Sequence, residues 1–498
     1  KGAAAARGNG CGTGIGGAAD TRKGTTMEYA YYCAGEWLRD GERFDVTAPA
    51  TGEAVGATFR PPAAAIERAV AAAEDAFPAV RRMPGHYRAA ILRVIAKMIG
   101  NGEEALADTI AREAGKPIRS ARGEVARTAL TFTEAAEECT RLYGEVLPLD
   151  VSPAAEGRIG LVRYVPVGPV LAITPFNFPL NLVAHKLAPA FAAGCPVILK
   201  PSSEAPLAAL MLASIIDKAG LPQGMLSVLP VTGACAEELA CRPEIKKVTF
   251  TGSADVGWKL KARAHNKKVT LELGGNAAVI VHDDWDDMER AVSRIALGGY
   301  VYAGQVCISV QRIYVQRNIY DRFVESFVAA VGSLKVGDPL SHETDVGPMI
   351  TEGEAARVEK WVGEAVEGGA RVLIGGTRDG AYYAPTVLAD ARGGMKVVDE
   401  EVFGPVTAVF PYDDFGEALA AVNDSRFGLQ AGVYTRDMRN VMRAFDELEV
   451  GGVVIGDIPT FRVDRMPYGG VKDSGFGREG LRYAIREMCE PRLLVYTP

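Results

Sequence analysis

Three side chains in this 498-residue sequence have the types needed for covalent chemistry at a carbonyl carbon. Cys307, in GQVC, sits in a loop after the helix-like run RAVSRIALGGYVYA and can attack as a thiolate. Glu272 ends the apolar run of LELGG, where a buried carboxylate without a partner is costly, and can serve as a general base. Asn177, in PFNFPL, carries a side-chain amide able to donate to an oxyanion. Each also has a plainer reading. A lone cysteine is usually a small core residue, and an asparagine between prolines usually caps a turn.

The elements around them make the combination more specific. VLAITPF reads as a buried strand followed by a helix through Ala192, PVILK as a strand with a helix from Ala205 to Lys218, and LSVLPV as a third with a helix over Cys235–Ala240. KKVTFTGS and a helix from Asp255 to Ala264 come next, and VTLELGG closes the series. Apolar strands separated by helices predict βαβ units and a parallel sheet, whose carboxyl ends form a ligand crevice. Thr174, Pro175 and Phe176 lie at one such end and Lys200 at another, where an ammonium can reach ribose hydroxyls or phosphate. Gly252 and Ser253 open a helix and can present N–H groups and a hydroxyl to a pyrophosphate. The plain alternatives are a solvated lysine and an ordinary helix cap. A thiol, a buried carboxylate and an amide donor beside a nucleotide-type sheet are the parts needed to oxidise an aldehyde through a thioester.

Upstream, residues 63–117 show helical spacing, with breaks expected at Pro78 and Pro84-Gly85 and an end at Gly115-Lys116-Pro117. A further helix is expected over about 121–143, then an extended arm in GRIGLVRYVPVG. A second alternating series runs from about 277 to 454. Residues 1–26 read as a disordered leader. They contain G-x-G-x-x-G at Gly12, Gly14 and Gly17, with Glu36 downstream, but no β-branched run precedes it, so the dinucleotide fingerprint lacks its strand. Apolar residues are 48% and charged residues 23%, with 55 basic against 62 acidic side chains. That balance, with no basic run, argues against a nucleic-acid or anionic-membrane binder, and no stretch is apolar for long enough to be a spanning helix. Eight cysteines without a C-x-x-C pair argue against a disulfide scaffold or metal knuckle and fit a reducing cytoplasm.

In motif order the chain resembles the aldehyde dehydrogenase superfamily: PFNFPL, FTGS, LELGG, GQVC, EEVFGPV and PYGGVKDSGFGREG follow one another from about Met27 to Pro498. The resemblance implies an α/β fold with an NAD(P)-binding domain at 27–145 and 163–273 and an α/β catalytic domain at 274–475. It adds a small β oligomerisation arm and tail at 146–162 and 485–498. Cys307 would be the nucleophile, Asn177 and the Cys307 N–H the oxyanion hole, and Glu272 the base that hydrolyses the thioester left after hydride transfer. Lys200 and Glu401 would bind the two riboses, Phe403 would lie near the nicotinamide ribose, and Ser253 would contact the pyrophosphate. PYGGVKDSGFGREG is read as a structural Gly-rich loop beside the site. The tail would pair with a neighbouring subunit's sheet, giving a homodimer or homotetramer.

Two departures from the family pattern bear on specificity. The NAD-type acid three residues after Lys200 is Ser203 here, with Glu204 one later, which leans the expectation from NAD towards NADP or dual use. Where members acting on simple aldehydes carry apolar walls, this chain has Arg127, His185 and Arg462, which suggests a short anionic or polar aldehyde gripped by guanidiniums. The plain reading leaves Arg127 on a helix surface and Arg462 paired with Asp464. Val306 stands where enzymes for phosphorylated aldehydes often carry arginine, and TFRVDRMPYGG also resembles lactaldehyde and phosphonoacetaldehyde dehydrogenase-like members. The alternatives are a CoA-acylating semialdehyde dehydrogenase and a non-catalytic protein that keeps the fold.

Overall fold

The structure, a computed structural model, describes residues 19–20 and 27–497. Ala19–Asp20 pair antiparallel with Glu28–Tyr29. The rest of the expected leader, including its glycine fingerprint, lies outside the described residues.

The expected parallel series forms the middle of an eight-stranded sheet. From one edge the strands are Gly475–Phe476, Lys268–Glu272, Lys247–Thr251, Val170–Ile173, Val197–Lys200, Leu226–Val228, Tyr31–Cys33 and Glu36–Leu38. The first strand of the series, Val170–Ile173, is central, with Val197–Lys200 on one side and Lys247–Thr251 on the other. Strand order therefore reverses beside it, and that reversal opens the crevice where such sheets bind ligands. PFNFPL and FTGS leave the two strands that border it.

A seven-stranded, largely parallel sheet forms the second α/β unit, with Arg312–Gln316 and Ala278–Val281 near its middle and Gly452–Ile455 at an edge. Cys307 lies in the loop entering Arg312–Gln316. A third sheet joins Glu145–Pro148, Ile159–Pro166 and Cys489–Tyr496, so the tail pairs with the arm of its own chain.

The helical layer differs from expectation at one proline. The Ala63–Val80 helix runs through Pro78, because a proline in the last turn removes a single backbone bond. Pro84 does mark a boundary, with the next helix spanning Gly85–Asn101. The helix expected from about 121 begins directly after Pro117 and covers Ile118–Cys139.

Within that helix, Glu124 is buried and pairs with the buried Lys116. Its Oε1 accepts the backbone N–H groups of Leu180 and Asn181, each at 3.0 Å. These are the first, otherwise uncapped donors of the Asn181–Ala193 helix. A carboxylate there suits the positive end of the helix dipole, and it anchors the segment that carries Asn177. The Lys116 ammonium also lies over the rings of Phe178 and Tyr302, at 3.7 and 4.6 Å, so one buried pair braces both loops of the site.

Candidate active site

A cavity of about 810 Å³ opens along the crevice, and Asn177, Cys307, Arg127, Arg462, Glu401 and Tyr468 are in its wall. The loop that carries Cys307 enters through Tyr302, Ala303 and Gly304, all at positive φ. Only glycine fits the last of these, since a Cβ on Gly304 would meet the Gly404 carbonyl oxygen at 2.1 Å. Two non-glycine residues in the left-handed region store strain that the surroundings must hold; Tyr302 is pinned by its hydroxyl donating to Ala114 O at 2.6 Å.

Asn177 Nδ2 donates to the Gln305 carbonyl at 3.0 Å, which leaves its second amide proton uncommitted, and Asn177 and Cys307 share the cavity wall. An amide and a backbone N–H are donors of the kind that can stabilise an oxyanion on a carbon bonded to Cys307. Burial pushes the Cys307 thiol up to about 11, and the Tyr468 hydrogen bond and Arg462 pull against that rise. Glu272 is 3% exposed and neither of its carboxylate oxygens has a partner among the described residues. Burial, then the neighbouring Glu479, raises its pKa well above the usual carboxylate range, against the pull of Arg462, Lys186 and Arg478. It does not itself line the cavity. It lies against Gly469, where a Cβ would come within 3.1 Å of Oε1. A buried carboxylate with a raised pKa is suited to taking a proton near neutral pH.

The nucleotide side of the crevice fits a dinucleotide. The Ala254–Arg263 helix begins at Ser253, whose side chain makes no cap bond, and Gly252 and Ser253 face the cavity. A Cβ on Gly252 would meet the Phe250 ring at 2.5 Å. The hydroxyls of Thr174 and Thr251, at the ends of the two bordering strands, are buried without partners among the described residues. Pro175, Phe176 and Phe403 line the cavity, the two phenyl rings meeting edge to face at 5.9 Å. Glu401 Oε1 accepts the Gly275 N–H at 3.0 Å, and burial pushes this carboxyl up to about 7. Lys200 and Ser203 stand outside the cavity wall, half-buried. Burial lowers the Lys200 pKa, with Glu204 opposing, and Glu204 itself folds back to accept from the Ser202 hydroxyl at 2.6 Å.

Arg127 and Arg462 both line the cavity, and each is paired with a carboxylate of the protein. Arg127, 29% exposed, donates Nη2 and Nε to Asp464 Oδ1 at 2.8 and 3.2 Å. Arg462, 7% exposed, pairs with Glu479 at 3.0 Å and not with Asp464. Glu479 is also 3.1 Å from the Lys186 ammonium; although burial pushes this carboxyl up, Lys186 and Arg462 outweigh it and hold it low. His185 does not line the cavity as expected. It is buried behind the wall, its Nδ1 3.4 Å from Arg462 Nη2 and its Nε2 3.2 Å from Asp464 Oδ1. Burial, then Arg462, lowers its pKa, so it is a neutral imidazole bridging the two pairs. It was misplaced because counting from Asn177 gives a helix position but not which face of the helix meets the cavity.

Sequence reasoning missed Tyr468, Glu479, Lys186 and the Lys116–Glu124 brace. The segment read as a structural Gly-rich loop supplies two of them: Tyr468 touches Cys307, and Glu479 lies in the charge network around Glu272. Their signal was present, in the tyrosine of PYGG and the acid of GREG.

The pattern of the aldehyde dehydrogenase family matches residues 37–494. The 3-sulfolactaldehyde dehydrogenase of Priestia aryabhattai is 46% identical over 94% of this chain and 98% of its own. The NADP(+) succinate-semialdehyde dehydrogenase GabD of Escherichia coli is 40% identical, covering 92% and 95%. The crystal structure of aldehyde dehydrogenase 21 from Physcomitrella patens, in complex with its reaction product succinate, aligns with a TM-score of 0.94 and 45% identity, covering 95% of this chain and 99% of that one.

Proposed function

The chain belongs to the aldehyde dehydrogenase family and oxidises aldehydes with NAD or NADP, and from that premise we propose that its substrate is a short aldehyde bearing a negatively charged group. The observation that carries this reading is the pair of guanidiniums, Arg127 and Arg462, in the wall of the cavity that holds Cys307. Both are fixed in place by carboxylates, and Lys186 behind them gives three cationic side chains against Asp464 and Glu479. Burial raises the Glu272 pKa, which works against a further fixed negative charge beside them. The relatives named for sulfolactaldehyde and succinate semialdehyde, and the neighbour bound to succinate, support a carboxylate or sulfonate; phosphorylated and phosphonate aldehydes belong to the same class, and an uncharged lactaldehyde-like substrate is the polar alternative.

In this mechanism Cys307 adds as thiolate to the aldehyde carbon, and Asn177 with the Cys307 N–H holds the resulting oxyanion. A nicotinamide cofactor held in the crevice would supply the hydride acceptor needed to take the thiohemiacetal to a thioester. Glu272 then takes a proton from water as it attacks the thioester, releasing the acid and restoring the thiol. Gly252, Ser253, Pro175, Phe176, Phe403 and Glu401 in the cavity wall, with Thr174 beside them, would hold the cofactor, and Lys200 and Ser203, outside that wall, would meet its adenosine ribose. Ser203 in place of an acid, and Glu204 drawn towards Ser202, leave a 2′-phosphate unopposed, which favours NADP or dual use.

The test is an initial-rate panel of anionic and neutral short aldehydes, run with NAD and with NADP, on the parent and on Arg127→Ala. Losing a charge-assisted contact costs about 2 kcal/mol, or roughly 30-fold. KM for the anionic aldehyde should rise by about that factor while propanal changes by less than about threefold. An equal effect on both substrates, or none, would remove the anion clamp.

The same chain is proposed to form a homodimer or homotetramer. The Cys489–Tyr496 strand is the outer edge of its sheet and exposes Leu493, Leu494, Val495 and Tyr496, an arrangement that invites a further strand. Light scattering at micromolar concentration should give at least twice the chain mass; a monomer would overturn this.

A further inference from the structure

Tyr468 is held more firmly than packing alone requires. Its backbone exchanges hydrogen bonds with Glu479, N–H to O at 3.1 Å and O from N–H at 2.6 Å. The Arg462 guanidinium lies 3.6 Å above its ring centroid, and Val306, Ile308 and Leu429 surround it. The residue is 2% exposed. Its hydroxyl is 3.1 Å from Cys307 Sγ, and among the described residues that sulfur is its one hydrogen-bond partner.

A buried hydroxyl that donates to nothing carries a desolvation penalty, so the phenolic O–H is directed at the sulfur. Burial pushes the Tyr468 pKa well above 10, which keeps that proton on the oxygen at working pH. The guanidinium on the ring face draws electron density from the phenol and strengthens it as a donor. Phenylalanine at this position would pack equally well under Arg462. The hydroxyl is therefore what the packing does not explain.

We propose that Tyr468 is a catalytic residue, whose hydroxyl donates a hydrogen bond to the Cys307 sulfur and stabilises the thiolate that attacks the aldehyde. No proton moves from Tyr468: on ionisation the thiol proton passes from the sulfur to water, and the phenol keeps its own. The groups facing Cys307 make this donor consequential. Glu401 and Glu272 both oppose a negative sulfur, as does burial; among the largest influences from the described residues, Tyr468 and Arg462 favour it. Arg462 is then a positioning residue for the nucleophile as well as part of the substrate wall.

The test uses the full-length enzyme without aldehyde, in parent and Tyr468→Phe forms. Alkylation of Cys307 by iodoacetamide is followed across pH, with peptide mapping to identify the labelled residue. The variant should form thiolate with a midpoint about one unit higher and react about tenfold more slowly below it. Thermal stability and NADPH binding should match the parent. An unchanged midpoint would overturn the proposal, and so would a lower one, which would mean that the hydroxyl accepts from the thiol. In turnover, kcat/KM should fall alike for anionic and neutral aldehydes, unlike the selective loss expected of Arg127→Ala.

Discussion

Cys307→Ala should lower aldehyde oxidation by at least about 10⁴-fold, with NAD(P)H binding intact. Removing a covalent nucleophile eliminates the whole two-step route and not one contact along it. Among the described residues no other cysteine lines the cavity: Cys33, Cys139, Cys195 and Cys489 are buried elsewhere, and Cys235 and Cys241 lie in the Gly233–Cys241 helix. The measurement is NAD(P)H formation with excess enzyme and a good aldehyde. Activity near that of the parent would mean that the thioester route is wrong and would revive the reading of a fold kept without its chemistry.

Glu272→Gln should separate the two halves of the reaction. Thioester formation does not need this carboxylate as a water-activating base, so a burst of NAD(P)H close to the enzyme concentration should survive. Steady turnover should fall by roughly 10²–10⁴-fold. The pH dependence follows from the direction of its shift. Glu272 is a base only when ionised, and burial raises its pKa well above 4.5. The hydrolysis rate in the parent should therefore climb as pH rises through that raised pKa and then level off, whereas the variant should lose this limb. Adding CoA tests the acylating alternative: acyl-CoA with little free acid from the parent, and a variant no slower than it, would place the second step with CoA.

Much of the fold was legible because it rests on local patterns. Buried strands such as VLAI and VILK are short, continuous and apolar, the intervening helices are long, and periodicity separates the two. Cys307, Glu272 and Asn177 stood out because each motif sits at a strand end or beside one, and the sheet's strand reversal gathers such ends. Pro78 was misread because sequence shows that a helix bond is lost but not that it falls in the last turn, where the loss is tolerable.

By itself, then, the sequence determined the parallel nucleotide sheet, the order of the motifs and the chemical types at the centre, all set by residues close together along the chain. Tertiary structure alone decided who pairs with whom. Arg127 and Asp464 are 337 positions apart, Lys186 and Glu479 are 293 apart, and Cys307 and Tyr468 are 161 apart. Whether a guanidinium grips a carboxylate of the protein or faces an open cavity depends on which segments the fold brings together. Charge and spacing placed Arg462 near a wall, but only packing gave it Glu479 in place of Asp464, set it over Tyr468, and put the neutral His185 behind it. Short-range electrostatics and hydrogen bonding act over a few ångströms of space, and no periodicity in the chain encodes those distances.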